Sequence, residues 1–131
     1  MTQSRTVAEA MTANPISVAD TASLAEAAGI LEGKKITGLP VVDADGILVG
    51  VLSQTDLVRA RANQNLVANW PGLAVGQVMT KPALTIASTA TLEQAAKQME
   101  KSRVHRLVVI DAAATPIGII STSDLFRSMV R

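Results

Sequence analysis

Two stretches of the chain carry apolar residues at the three-and-four spacing of a buried helix face: Leu24, Ala27, Ala28 and Leu31, then Leu92, Ala95, Ala96 and Met99. Each has a start signal in front of it. Ser23 with Glu26, and Thr91 with Gln94, read as capping boxes. Ahead of these helices lie two short β-prone runs, "PISVAD" and "ALTIAS". Behind them come two apolar pairs joined by turn formers, "TGLPVVD" with "GILVGVLS" and "HRLVVID" with "TPIGIIS", which predict hairpin strands. Further helices are predicted to begin near Ser53 and Ser121. Each half therefore predicts strand, helix, two strands, helix.

The two halves are copies of one unit. Laying Met11 on Met79 sets an offset of 68, which carries Val7–Ala60 onto Val75–Ser128 without a gap and with 19 identities in 54 positions. The domain reading is one unit over 7–60, a connection over 61–74 and a second unit over 75–128. The connection has the Asn, Pro and Gly of a linker, while Leu66, Val67 and Trp70 predict that it packs down, with Trp70 in the core or at a dimer contact. A unit this small exposes an apolar sheet face that it cannot bury alone. The expected fold is therefore mixed α/β (α+β): two pseudo-symmetric β-α-β-β-α units, sheet against sheet, with clefts between them. Ligand sites favour such clefts.

Composition narrows the function. Twelve Lys and Arg against eleven Asp and Glu leave a net charge of +1, too weak a field to argue for duplex nucleic acid or an anionic membrane. Aromatics are 2% of the chain, which argues against a stacking platform for single strands. No cysteine is present, the opening "MTQSRTVAEAMT" lacks a signal peptide's apolar run, and no stretch has the length of a membrane helix, so a cytoplasmic, soluble chain is expected. A single histidine, no phosphate-cradling glycine loop and no zinc-ligand spacing argue against an enzyme or a metal site.

The chemistry concentrates in a sentence written twice, "GVLSQTDLVRA" from Gly50 and "GIISTSDLFRS" from Gly118. Ser-x-x-Asp at a helix start can be a cap, with the carboxylate set against the positive end of the helix dipole. Gly50 and Gly118 predict a close backbone approach by a partner or a ligand. Lys34, Lys35, Lys101 and Arg103 read as C-terminal charges that complement the dipole, and Arg59 and Arg127 read the same way.

The order Met-Thr, short strand, Ala-rich helix, "LPVVD" or "LVVID", then G-h-h-S-x-x-D with h apolar, resembles a tandem pair of cystathionine-β-synthase-type (CBS) domains, a Bateman module. The resemblance covers Val7 to Ser128. It implies a regulatory sensor, not a catalyst, that binds AMP, ADP, ATP or S-adenosylmethionine and reports to a regulated protein. It also implies that Asp56 and Asp124 accept the hydroxyls of a ribose, a task suited to a short, rigidly held carboxylate. The capping and ribose roles can coexist, but a reciprocal box prefers Glu or Gln because Asp reaches back poorly, which favours the ligand role.

Carried over, one cleft combines Ser53, Thr55 and Asp56 with Thr80, His105 and Arg106, the basic pair holding phosphate. The other combines Ser121, Ser123 and Asp124 with Thr12 and Thr37, and is expected to be empty or to take a less charged ligand. A homodimer through exposed helix faces is a further implication. The competing classes are a structural or dimerisation protein with empty clefts and a weak nucleic-acid binder.

Overall fold

A computed structural model describes residues 5–63 and 72–130. Leu66, Val67 and Trp70 lie outside the described residues. The elements run α1 (Val7–Ala10), β1 (Thr12–Ala13), β2 (Val18–Ala19), α2 (Leu24–Lys34), β3 (Gly38–Val42), β4 (Leu48–Ser53), α3 (Gln54–Ala62), a 3-10 turn (Val75–Gln77), β5 (Thr85–Ala87), α4 (Leu92–Ser102), β6 (Arg106–Ile110), β7 (Pro116–Ser121) and α5 (Thr122–Met129). All four predicted helices and all six predicted strands are present. Among the described residues the additions are α1, β1 and the 3-10 turn. Thr6 and Glu9 carried the signal for α1, since Thr6 N donates to Glu9 Oε1 at 3.0 Å as in a capping box.

The elements sort into two compact units that do not follow the sequence repeat. A central unit spans Ile16–Ala83, and a split unit joins the chain through Pro15 to the chain from Leu84. The head of each repeat is built onto the body of the other. In the split unit Val7 N donates to Ala90 O at 2.8 Å and Leu92 N to Arg5 O at 3.0 Å. In the central unit the same bonds recur between the repeat counterparts, with Val75 N on Ala22 O at 2.8 Å and Leu24 N on Leu73 O at 2.8 Å. Val7 and Val75 are both fully buried. Removing a valine side chain from water contributes roughly 1.5–3 kcal/mol, enough to fix each head where it lies.

The central sheet has the order β2-β3-β4, with β2 parallel to β3 (Val18 opposite Val41) and β3 antiparallel to β4 (Leu39 opposite Leu52). The split sheet has the order β1-β7-β6-β5, with Ile86 opposite Val109, Leu107 opposite Ile120, and Thr12 opposite Ile119. The last pair has its counterpart in a bridge between Thr80 and Val51. Leu24, Leu39, Val41 and Leu52 fill one core, while Val7, Leu107, Val109 and Ile120 fill the other. Along β4 and β7 burial alternates at the inner end, so Gly50, Leu52, Gly118 and Ile120 face inward.

Gly50 and Gly118 admit a close approach, and what approaches is the head's own Met-Thr segment. A Cβ at Gly50 would lie 2.7 Å from Met79 Sδ and 2.8 Å from Thr80 O; at Gly118 it would run into Met11 Sδ and lie 3.1 Å from Thr12 O. The hairpins are also duplicated. Asp43 Oδ1 accepts from Asp45 N and Ile47 N at 2.9 and 3.0 Å, and Asp111 Oδ1 accepts from Ala113 N and Thr115 N, both at 2.9 Å. The left-handed position after each Asp is Gly46 (φ 81°) in one turn and Ala114 (φ 62°) in the other.

Two predictions follow from these backbone constraints. Ala114→Gly is expected to stabilise the protein by about 1 kcal/mol and Gly46→Ala to destabilise it by a similar amount, since a Cβ is costly in left-handed backbone. Opposite shifts of the urea midpoint would be read; equal signs refute the argument. Gly50→Ala is expected to cost about 1–3 kcal/mol, and more than Gly118→Ala. A flexible methionine is the nearest obstacle at both, but at Gly50 a paired backbone carbonyl also lies at 2.8 Å, whereas at Gly118 the carbonyl stands back at 3.1 Å.

Candidate functional site

Each unit places one buried carboxylate at the start of its last helix. Asp56 is 4% and Asp124 is 5% exposed. Strand β4 delivers Ser53 as the N-cap of α3, and Ser53 Oγ accepts from Asp56 N at 3.2 Å. Asp56 answers: its Oδ2 accepts from Ser53 N at 2.9 Å and from Ser53 Oγ at 3.1 Å. Ser121 and Asp124 repeat the geometry, with Oδ2 accepting from Ser121 N at 2.8 Å and from Ser121 Oγ at 3.0 Å. The expectation that an aspartate reaches back poorly is therefore corrected. Both boxes close on extended N-cap backbones, ψ 166° and 167°.

The second oxygen distinguishes the two. Asp56 Oδ1 accepts from Thr80 Oγ1 at 2.8 Å, with Arg59 Nη1 further off at 3.6 Å. Asp124 Oδ1 is instead paired directly with Arg127 Nη2. Thr12, the counterpart of Thr80, sits exposed in β1 opposite Ile119 and makes no such bond among the described residues. The expected union of Ser53, Asp56 and Thr80 is thus present in the central unit, where exposed Thr55 stands in the first turn of α3 and Thr37 O accepts from Gln54 N at 3.0 Å.

In the split unit, Thr122 N donates to His105 O at 2.8 Å and Arg106 stands opposite Ser121 in the ladder. Exposed His105, Arg106, Thr12 and Ser123 are thus built into the same unit as Asp124. Thr37 belongs with Asp56 in the central unit.

Two residues at this end of the split unit escaped the sequence reading. Arg5 and Glu9, from the head of the chain, line a cavity of about 230 Å³ with Ala10, Asp124, Arg127 and Ser128. Glu9 is held below the ordinary carboxylate value of 4.5, first by the Thr6 amide, then by the Thr6 hydroxyl and nearby Arg5. Their signal was available in Thr6-x-x-Glu9; what sequence did not display was that this head joins α5. Because the aspartates cap helices, Asp56→Ala and Asp124→Ala are each expected to cost about 1–2 kcal/mol without any ligand. Asn, which keeps an acceptor for the serine amide, is expected to cost less than half as much. Urea unfolding of the four variants checks this; equal losses for Ala and Asn count against it.

The sequence model of the CBS domain matches residues 7–63 and 75–131. The chain is 34% identical over 125 residues to a homoserine O-acetyltransferase of Methanocorpusculum labreanum, covering 95% of this chain and 24% of that enzyme. It is 30% identical to the chloroplastic CBS domain-containing protein CBSX2 of Arabidopsis thaliana, covering 83% of this chain and 56% of that protein. The chain thus spans about a quarter to a half of the curated relatives it matches. Among solved structures it resembles CBSX2 in complex with AMP, with a TM-score of 0.85, 34% identity and 96% of both chains covered. It also resembles the CBS domain pair of protein MJ0100 in complex with 5′-methylthioadenosine and S-adenosyl-L-methionine, with a TM-score of 0.85, 27% identity and 98% of both chains covered. No helix among the described residues is long and apolar enough to cross a membrane. A twofold match to one family, over repeats that keep the capped aspartate in each copy, makes this chain a member of the CBS domain family with two domains in tandem.

Proposed function

We propose that this protein is a non-catalytic regulatory module that binds an adenosine-containing ligand, with AMP, ADP or ATP as the first candidates and S-adenosylmethionine as the alternative. Asp56 and Asp124 receive the ribose hydroxyls. Ser53, Thr55, Ser121 and Ser123, together with Thr80, Thr12 and Thr37, supply hydroxyl contacts, and His105 and Arg106 hold phosphate. The observation that supports this reading most is the division of labour within each carboxylate. One oxygen completes the cap, and the other is held by a side chain, Thr80 or Arg127, that a ligand hydroxyl can replace. The AMP bound to CBSX2 and the methylthioadenosine and S-adenosylmethionine bound to MJ0100 support the choice of adenosine.

A second reading, a dimerisation or interaction protein, draws on the apolar faces of the last helices. Val58 on α3 is 69% exposed, and Phe126 and Met129 on α5 are 62% and 80% exposed. In the proposal these faces meet a second copy, giving a cytoplasmic homodimer that signals to a regulated protein. Light scattering that returns only monomer at micromolar concentration refutes the dimer.

For the ligand, AMP, ADP or ATP at a hundredfold excess over its dissociation constant is expected to stabilise the fold by about 2.7 kcal/mol. That raises the melting temperature by several degrees, whereas cytidine nucleotides leave it unmoved. No shift with any adenosine compound at millimolar concentration turns the choice to the interaction protein. Calorimetry then assigns the contacts. Arg106→Ala is expected to weaken AMP by about tenfold or more and adenosine little, as the loss of a charge-assisted phosphate contact requires. A double-mutant cycle with Asp56→Asn and with Asp124→Asn identifies the carboxylate that shares a ligand with Arg106. The expected partner is Asp56, and non-additivity with Asp124 alone reverses the assignment.

A further inference from the structure

The cavity between α1 and α5 carries charges that have no equivalent in the central unit. Shifted by 68, Arg5 and Glu9 fall on Leu73 and Gln77, and Ser128 falls on Ala60. The pair Asp124 and Arg127 does recur, as Asp56 and Arg59, but the two pairs behave differently. In the central unit the arginine stands off at 3.6 Å and a hydroxyl occupies the carboxylate oxygen. In the split unit the guanidinium itself closes that oxygen. The oxygen proposed to receive a ribose hydroxyl is therefore blocked by a side chain that also lines the cavity.

Three features suit this arrangement to an anion. Arg127 is 56% exposed although its partner Asp124 is only 5% exposed, so the guanidinium is the member of the pair that a competing anion can reach from solvent and draw away. Among the described residues Arg5 makes one long bond, 3.5 Å from Nη1 to Ser128 O, and its fork has further donors. Glu9, the nearby carboxylate, keeps its charge but has its Oε1 drawn to Thr6 N and Thr6 Oγ1 at 3.0 and 3.1 Å. The volume of about 230 Å³ lies below the roughly 300–1,000 Å³ of clefts that take a whole drug-sized ligand, which fits a phosphate and its immediate neighbours.

The geometry points to a phosphate-operated latch in the split unit. A phosphate group enters the cavity, is gripped by Arg5 and Arg127 together, and by drawing Arg127 away opens Asp124 Oδ1 to the ribose of the same ligand. The anion half of this inference stands on the cavity alone; the ribose half rests on the proposed function. It follows that a phosphate is needed to uncover Asp124, whereas Asp56, whose oxygen is held by the neutral Thr80 hydroxyl, opens to a ribose without one, whatever its phosphate contacts add to affinity. That reverses the expectation of a less charged ligand at Asp124.

The test uses the full chain carrying Asp56→Asn, so that Asp124 is the ribose acceptor under observation. Inorganic phosphate, titrated against sodium chloride at matched ionic strength, is followed by NMR of the arginine side chains. AMP and adenosine are followed by calorimetry in that background and with Arg5→Ala, Arg127→Ala, Arg127→Lys or the exposed control Lys97→Ala added. Phosphate is expected to shift Arg5 and Arg127 and leave Arg59 unmoved. Arg127→Ala should tighten adenosine by about twofold or more, since no guanidinium then competes for Asp124 Oδ1, and lower the preference for AMP over adenosine by about tenfold. Arg5→Ala should lower that preference while leaving adenosine unchanged.

Arg127→Lys retains the helix-terminal charge and reports whether charge alone, without the fork, preserves the preference; an unaltered preference in it and in both alanine variants overturns the latch. Phosphate that moves neither arginine overturns it as well. If phosphate moves both arginines while neither AMP nor adenosine binds, the ribose reading fails and the anion site stands. Melting curves of each variant, compared with Lys97→Ala, separate loss of fold from loss of binding.

Discussion

A strand position without a side chain governs both halves of this protein. At Gly50 and Gly118 the Met-Thr segment of a head crosses β4 or β7 closely enough that a Cβ would collide with it. The crossing is paired on both sides in the central unit, where Val51 N and Thr80 N exchange bonds with the opposite carbonyls at 3.0 and 2.9 Å. It sets the depth of the head, seats Val75 and Val7 in their cores, and brings Thr80 within 2.8 Å of Asp56. Glycine, methionine and threonine are therefore parts of one contact, although they lie far apart in the chain.

Because each head belongs to the body of the other repeat, neither compact unit is built from one sequence copy alone. Val7 and Val75 are both fully buried, so a single repeat severed from its partner would leave one body without a buried valine and expose the backbone groups of residues such as Ala22 and Ala90 that the heads satisfy. Exchange of this kind ties the stability of each unit to the whole chain. It also supplies each carboxylate with neighbours from a remote segment, which is how Arg5 comes to share a cavity with Asp124.

Most of the architecture was legible because period and punctuation agree. Leu24 to Leu31 and Leu92 to Met99 show helical spacing behind capping boxes, and Ser53 and Ser121 mark the last helices at the residues that cap them. The short elements were less visible. Helix α1 has four residues and β1 has two, lengths at which periodicity carries no information, and both are fixed by long-range bonds. At the site, the hydroxyls and carboxylates were legible as a repeated motif. The closing of the aspartate boxes was not, because it depends on the geometry at the N-cap, and the roles of Arg59 and Arg127 were read only as helix-end charges because sequence spacing alone does not say which carboxylate oxygen is already taken.

A carboxylate that both caps a helix and receives a ligand links occupancy to structure without needing a large motion. Oδ2 of each aspartate is bound to the N-cap serine, so the cap does not draw on Oδ1 and a ligand at Oδ1 would not have to order the helix start. Oδ1 is the adjustable atom, and duplication has let its partner diverge: a neutral hydroxyl in one unit and a guanidinium in the other. Displacing the hydroxyl leaves the local charge as it was. Displacing the guanidinium moves a positive charge from the buried carboxylate to the cavity and the last turn of α5, next to exposed Phe126 and Met129. Under the proposed ligand role, the split unit is therefore the one in which occupancy would change the charge beside exposed Phe126 and Met129.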